Sequence, residues 1–159
     1  MLKVTVNNEV SPALLKFGSE LESRLIEAAG TGWTMIAGRA IGEYMRDAKG
    51  EPARRSPGDK GPLRIVTGRL ARSLIGARKD GNSPESVYRI QTGSGQVTVT
   101  FGSAVPYAAI HEFGGMAGRA LSVAIPGRPY LGPSINELSG EVTNVFDVEL
   151  TKLASELGL

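Results

Sequence analysis

Two short segments near the middle of the chain limit most strongly what it can fold into. Val87–Thr92 and Gln96–Phe101 are rich in β-branched and aromatic residues, and a Gly-Ser-Gly tripeptide separates them. In the second segment Val97, Val99 and Phe101 share one side of an extended strand, whereas threonines occupy the other side. Two such segments joined by a short glycine-rich turn predict a β-hairpin with one buried face.

Both ends of the chain carry apolar residues at helical spacing. Ser11-Pro12 supplies a cap and a first-turn proline for a helix that we expect to end at Gly30, with a second helix following to about residue 50. Near the C-terminus a long amphipathic helix is predicted from the spacing of Ile135, Leu138, Val142, Val145, Phe146, Leu150, Leu153 and Leu157. The fold class expected is therefore α+β, with N-terminal helices and a long C-terminal helix packed on a small antiparallel sheet.

Several shorter elements are also expected. Leu2, Val4 and Val6 alternate with polar residues and predict a strand. The segment beginning Thr67-Gly68 resembles the cap and first turn of a short helix that buries Leu70 and Leu74. A further short helix is predicted from Pro106 through Phe113, ended by Gly114, and a strand is predicted at Leu121–Ile125.

Two stretches without periodicity are predicted to be long mobile loops. Residues 50–66 hold three prolines, three glycines and four basic residues, and residues 77–86 form a second polar stretch. Neither stretch divides the chain into domains, because 159 residues are too few for two well-packed cores. We expect a single domain over 1–159.

Composition excludes several classes of function. The chain has no cysteine and one histidine, so disulfides, thiol nucleophiles and thiolate metal sites are ruled out. No apolar run is long enough to span a bilayer, and the start lacks a signal-peptide pattern, so we expect no membrane partner and a cytoplasmic site of synthesis. Residues 50–90 carry nine Lys or Arg against four Asp or Glu, whereas residues 91–159 carry three against six. Complementary flanks of this kind suit head-to-tail packing of identical subunits.

His111-Glu112 resembles the start of the helical zinc-protease motif, in which two histidines four residues apart bind the metal. Position 115 is glycine, however, and the chain has no other histidine or cysteine to replace the missing ligand. A lone histidine beside serines such as Ser103 or Ser122 is weak evidence for a hydrolase, and the glycine-rich segments lack the Walker spacing. We therefore predict no catalytic residue, no metal and no cofactor.

The aromatic cluster around His111 has two interpretations. Tyr107 and His111 lie one helical turn apart, and a Pro-Gly-Arg-Pro-Tyr segment at 126–130 follows. The cluster suits a polar-tipped clamp in the core, in which His111 hydrogen-bonds a carbonyl or carboxylate, and it equally suits a subunit contact. We expect the turn to brace the central sheet against the C-terminal helix and to help present an interface.

The segment VPYAAIHEFGG followed by IPGRPYLG, with VTGRLARSL upstream, resembles the virion-morphogenesis or tail-completion proteins of tailed bacteriophages, including those of Mu-like phages. In that family these blocks recur in the same order around a hairpin. The positions that carry the resemblance, and that it implies are structural or interface residues, are Thr67, Gly68, Leu70, Ser73, Tyr107, Ala108, His111, Phe113, Gly114, Gly115, Pro126, Arg128, Pro129, Tyr130 and Leu131.

The resemblance implies a structural virion component without enzymatic activity. Such a subunit is expected to form a ring with copies of itself, a hexamer in the family's usual form, between the head connector and the tail tube. Its other partners would be neck, head-closure and tail-tube proteins. Basic residues Arg54, Arg55, Lys60 and Arg64 would then line a lumen crossed by DNA or dock a neighbouring ring. The alternative is a nucleic-acid-binding module built on residues 50–90.

Overall fold

The computed structural model describes residues 12–47, 63–65, 67–77, 83–93 and 96–158. The helices are α1 (Pro12–Tyr44), α2 (Arg69–Ile75), α3 (Ala108–Phe113) and α4 (Leu131–Glu156). The strands are β1 (Met45–Asp47), β2 (Leu63–Ile65), β3 (Ser86–Gly93), β4 (Gln96–Ser103), β5 (Gly115–Ala117) and β6 (Val123–Ile125). A 3₁₀ turn at Arg119–Leu121 joins β5 to β6. The expected α+β class is confirmed.

The first helix is longer than predicted, because α1 continues through Gly30, where the sequence suggested an end. Gly30 meets no neighbouring atom that a Cβ would disturb, so it neither caps nor breaks the helix there. At Gly32 a Cβ would lie 2.8 Å from a methyl group of Val142, so glycine is what lets α4 approach this closely. Packing against a long partner sustains a helix across residues of low propensity. The predicted pair of N-terminal helices is therefore one helix.

Helices α1 and α4 form an antiparallel pair along the length of the domain. Arg24 donates to Glu156 at 2.6 Å and to Glu149 at 3.5 Å, which fixes the N-terminal half of α1 beside the C-terminal half of α4. At the other end Tyr44 donates to the carboxylate of Glu137. The predicted C-terminal helix is confirmed, and it begins four residues before the first apolar position that suggested it.

Strands β3 and β4 form the predicted hairpin, in antiparallel register from Ser86–Ser103 to Gly93–Gln96. Val97, Val99 and Phe101 alternate with exposed residues, as the sequence pattern required. The ring of Phe101 stacks on Trp33 of α1 with centroids 5.3 Å apart, and this contact holds the hairpin against the helix. The indole Nε1 of Trp33 also donates to the carbonyl of Leu74, at 3.0 Å.

The sheet structure is divided among three two-stranded units rather than gathered into one sheet. Besides the hairpin, β5 and β6 are antiparallel, whereas β1 and β2 are parallel. The prediction of a loop over 50–66 is wrong at residues 63–65, because these residues form strand β2 and pair with β1. In the second predicted loop, residues 83–85 are irregular and Ser86 already belongs to β3. The remainder of both loops, residues 48–62, 66 and 78–82, and the strand expected at 2–6 lie outside the described residues.

Short helix α2 joins the hairpin to the core through a set of serines. Ser73 is fully buried, and its hydroxyl contacts the Ser103 hydroxyl at 2.6 Å and donates to the carbonyl of Leu70 at 2.7 Å. Ser86 in turn donates to the Ser73 carbonyl at 2.6 Å. Each buried hydroxyl thus has a partner, and α2 is fixed against both strands of the hairpin. Leu70 and Leu74 are buried as predicted.

Candidate functional site

The turn after α3 and the start of α4 meet through the carboxylate of Glu112. Its Oε2 accepts the backbone N–H groups of Tyr130 at 2.8 Å and Leu131 at 3.0 Å, and its Oε1 accepts that of Gly132 at 2.8 Å. These are N–H groups of the first turn of α4, which have no acceptor within the helix. A carboxylate also complements the positive end of the helix dipole. Glu112 therefore caps α4 from a different helix.

The backbones of the Phe113–Gly114 turn and of Gly127 cross in direct contact. Gly114 has φ +77°, and a Cβ there would lie 2.8 Å from the backbone nitrogen of Gly127. A Cβ on Gly127 would in turn lie 3.0 Å from the carbonyl carbon of Phe113. The N–H of Arg128 donates to the carbonyl of His111 at 2.7 Å, which ties the two segments together. Glycines at this crossing make the close approach feasible.

Tyr130 secures the same junction from inside the core. It is 1% exposed, and its hydroxyl reaches the carbonyl of Ala108 at 3.4 Å. Burial, together with the negative charge of Glu112, raises the pKa of the Tyr130 phenol to about 12. The phenol consequently stays protonated and keeps its donor proton. The turn braces α4, as expected. The core that contains Tyr130 also contains Trp33, whose ring stacks on Phe101 of the hairpin.

The Nδ1 of His111 does not form the hydrogen bond to a carbonyl or carboxylate that the sequence suggested, among the residues described. Its ring meets that of Tyr107 edge-on at 5.4 Å, which confirms that the two share a face of α3. Its Nδ1 is buried and has no hydrogen-bond partner among the described residues. Burial, and secondarily the positive charge of Arg128, lowers the pKa of the His111 imidazole. The neutral ring is thus favoured, which removes the cost of burying an unpaired charge.

A cavity of about 280 Å³ lies beside this pair of rings. Tyr107 and His111 line it together with apolar side chains of β1, β2 and α2, among them Met45, Leu63 and Leu70. The serines considered as nucleophiles are engaged elsewhere: Ser103 contacts Ser73, and Ser122 donates to the carbonyl of Arg119. Within the described ranges no group of three or more His, Cys, Asp or Glu side chains is placed to hold a metal ion. Neither of these two serines lines the cavity.

Beyond the crossing, residues 113–123 form an apolar arm that projects from this junction. Large apolar side chains are exposed along it: Phe113 is 82% exposed, Leu121 64%, Met116 51% and Val123 50%. All seven residues from Gly118 to Ala124 are exposed. Ala120 and Leu121 have φ of +57° and +53°, a left-handed conformation that non-glycine residues adopt at a cost. We call the segment Phe113–Val123 the arm.

The comparisons with known proteins bear on this region directly. A family model described as the phage virion morphogenesis family matches residues 64–151, more than half of the chain. The chain belongs to that family. The part of the chain that the family model matches contains α2, the hairpin, the Glu112 cap, the glycine crossing, the arm and most of α4. The recognition made from the sequence is thereby confirmed, and with it a structural role in phage assembly.

One curated relative is the Mu-like prophage FluMu G protein 2 of Haemophilus influenzae. It is 67% identical to this chain over 30 residues, which are 19% of this chain and 22% of the relative. The chain therefore aligns with less than a quarter of that protein's length. No solved structure matches the chain.

The residues that carried the family resemblance occupy different environments. Leu70 and Tyr130 are core residues, whereas Thr67, Pro126 and Pro129 are exposed, and Phe113 is the most exposed large apolar side chain of the set. Tyr107, His111, Arg128 and Leu131 are half-buried, Gly68 and Gly114 have positive φ, and Gly115 begins β5. Arg54, Arg55 and Lys60 lie outside the described residues, as does the side chain of Arg64 in β2.

Sequence reasoning missed the role of Glu112, which it considered only as half of a zinc motif. A capping carboxylate within four residues of a helix start leaves a sequence signature, but this one lies 18 positions from Tyr130. The signal that was available is that Tyr130, at the N-cap of α4, carries no side chain able to accept those N–H groups.

Within the described part of the chain, no helix is both long and apolar enough to cross a membrane.

Proposed function

We propose that this chain is a tail-completion or neck subunit that assembles into a ring between the head connector and the tail tube of a phage particle. It acts through subunit contacts and catalyses no reaction. Its partners are further copies of itself, hexameric in the form we expect, and the neck, head-closure and tail-tube proteins on either side. The mature virion is its place of action, after assembly in the bacterial cytoplasm.

The observation that carries this proposal is the exposed apolar arm. A chain that acts alone in water gains nothing from exposing phenylalanine, methionine, leucine and valine on one projecting segment. Contiguous exposed apolar side chains are typical of protein–protein contacts. The arm is also held at its base by the Glu112 cap and by the crossing of Gly114 with Gly127. A surface presented from a rigid base loses less entropy on association than a loose one.

Two measurements on the full chain test the proposal. Native mass spectrometry and negative-stain electron microscopy of the purified protein, over a wide range of concentration, are expected to show closed rings of one stoichiometry. Immunogold labelling of an epitope-tagged chain in phage particles is expected at the junction of head and tail. A chain that remains monomeric at all concentrations and is absent from particles would contradict the proposal.

A further inference from the structure

A groove of about 680 Å³ lies between the middle part of α1 and strand β3. Its apolar lining includes Ile26, Tyr88 and Ile90, of which Ile90 is 39% exposed. Two carboxylates of α1, Glu22 and Glu27, line the same groove. The groove therefore combines apolar side chains with negative charge, and hydroxyl side chains complete its lining: Ser19, Ser23, Thr31 and Thr34.

The charges of the groove are uncompensated among the residues that the structure describes. Across the parts of the chain that the structure describes, neither Glu22 nor Glu27 forms an ion pair. Neighbouring acidic residues differ, since Glu20 pairs with Lys16 and Glu149 pairs with Arg24 and Lys152. An acidic groove with unpaired carboxylates favours a positively charged occupant.

The arm offers the complementary chemistry. Arg119 lies in the 3₁₀ turn at its tip, is exposed, and is likewise without an ion pair to any described residue. No acidic residue occurs from Phe113 to Val123. Leu121 and Val123 adjoin this arginine with exposed apolar side chains. An exposed cation with apolar neighbours is complementary to a groove that is lined by carboxylates and apolar side chains.

The base of the arm lies at one end of the α1–α4 pair, whereas the groove runs along the middle part of α1, from Ser19 to Thr34. The base of the arm is fixed to the N-terminus of α4 by Glu112, whereas the groove belongs to the part of α1 that Arg24 ties to Glu149 and Glu156. Eighteen helical residues separate Leu131 from Glu149, a length of about 27 Å at 1.5 Å per residue. Because the arm and the groove are different surfaces, copies joined by this contact can follow one another head to tail around a ring.

We propose that the arm of one copy docks in the α1–β3 groove of the next copy, with Arg119 between Glu22 and Glu27 and with Leu121 against Ile90. Repeated around an axis, this contact closes the ring. The inference rests on the proposed ring-forming function and adds to it the two surfaces that meet.

Cysteine cross-linking tests the contact without background, because the chain has no cysteine. Leu121→Cys and Ile90→Cys are made as separate single variants, and one of them carries a mass tag. A mixture of the two, under mild oxidation, is expected to form the mixed covalent dimer. The chain carrying both substitutions is expected to form a ladder of covalent multimers. The matched control replaces Ile90→Cys by Val148→Cys, which introduces a thiol at an exposed apolar position of α4 outside the groove.

The outcomes separate this inference from the proposed function. Rings that form in the unmodified protein without a mixed dimer between positions 121 and 90 would overturn the docking contact and leave the ring. A predominance of dimers linked through position 121 on both chains would show that arms pair with each other, which also overturns it. A protein without oligomers or cross-links would count against both proposals.

Charge reversal provides an independent test. Arg119→Glu is expected to weaken self-association by about tenfold or more, because it places like charges across the contact. The same chain with Glu22→Lys and Glu27→Lys added is expected to recover association. Glu141→Lys is the matched control, since Glu141 is exposed on α4 and does not line the groove. Failure of the combined variant to recover, with its fold intact by circular dichroism, would refute the assigned pairing.

Discussion

The carboxylate of Glu112 and the backbone nitrogen of Tyr130 lie 2.8 Å apart, although 18 positions separate them in sequence. Between them run the arm and the Pro-Gly-Arg-Pro segment, so this contact closes the base of the arm together with the crossing of Gly114 and Gly127. Two further N–H groups, of Leu131 and Gly132, share the carboxylate. One side chain therefore caps the start of α4 and also helps to fix the base of the arm.

Removing this cap is expected to destabilise the protein measurably. Glu112→Ala leaves three N–H groups of the first turn of α4 without their acceptor, which we expect to cost about 2 kcal/mol of the free energy of unfolding. Glu112→Gln retains one acceptor oxygen but loses the charge, and about half of that loss is expected. Urea denaturation followed by the fluorescence of Trp33, the single tryptophan, measures both. Glu141→Ala, on the exposed face of α4, is the control and should change stability by less than about 0.5 kcal/mol.

Two glycines in different backbone settings, Gly114 at the end of α3 and Gly140 inside α4, are expected to respond in opposite directions to alanine. At Gly114 the positive φ and a Cβ 2.8 Å from the Gly127 nitrogen predict that Gly114→Ala costs about 2 kcal/mol or more. Gly140 lies inside α4, and a Cβ added there would meet no neighbouring atom within 4 Å. Gly140→Ala is therefore expected to stabilise by about 0.5–1 kcal/mol through helix propensity. Thermal unfolding by circular dichroism compares the two, and equal effects would contradict the proposed backbone crossing.

The elements predicted from the sequence are those whose pattern is local. The hairpin followed from alternation across Val97, Val99 and Phe101, and α4 followed from its helical spacing. The long α1 was divided incorrectly at Gly30, because the close approach of Val142 to Gly32 is not visible in either segment alone. Strand β2 was taken for loop because its partner β1 lies 18 residues earlier, from Met45 to Leu63.

The junction between the His111 turn and the Arg128–Tyr130 segment was expected from the sequence, whereas the interface role of these residues stays a prediction. The resemblance singled out the residues from Tyr107 to Leu131, and the structure places them at one junction. Which of them cap, cross or remain exposed depends on tertiary geometry that motif spacing does not encode. Phe113 and Tyr130 illustrate this, since two aromatic residues of the same motif set are 82% and 1% exposed.

Stability is expected to rise with pH through the range in which His111 titrates. Because burial lowers the pKa of His111 in the folded chain below its ordinary value of 6.5, the unfolded chain takes up the proton first as the pH falls. The folded state therefore loses stability below about pH 6.5, and this contribution is constant above that value. Chemical denaturation between about pH 5 and pH 8 should show the slope, and His111→Asn should remove it. A slope that persists in the variant would assign it to other groups.

Two carboxylates, those of Glu85 and Glu149, also make the stability depend on pH, but in a separate and more acidic range. Hydrogen bonding to Arg69 lowers the pKa of Glu85, and the contacts with Lys152 and Arg24 lower that of Glu149, both from an ordinary value of 4.5. Their contributions are present above about pH 4.5 and are lost as the pH falls through the lowered values. The His111 slope can therefore be measured without interference from these two groups.

Finally, substitutions in the arm should separate assembly from folding. Phe113 is 82% exposed, so Phe113→Ser removes almost no buried surface, and we expect the free energy of unfolding to change by less than about 0.5 kcal/mol. Self-association should nevertheless weaken by about tenfold or more, because an aromatic anchor commonly supplies 2 kcal/mol or more to an interface. Leu14→Ser, at an exposed apolar position 51% accessible on α1, is the matched control and should leave association unchanged. Analytical ultracentrifugation measures the self-association, and urea denaturation measures the free energy of unfolding. If Phe113→Ser unfolds the chain but Leu14→Ser does not, the phenylalanine supports the fold, and the arm loses its assignment as an assembly surface.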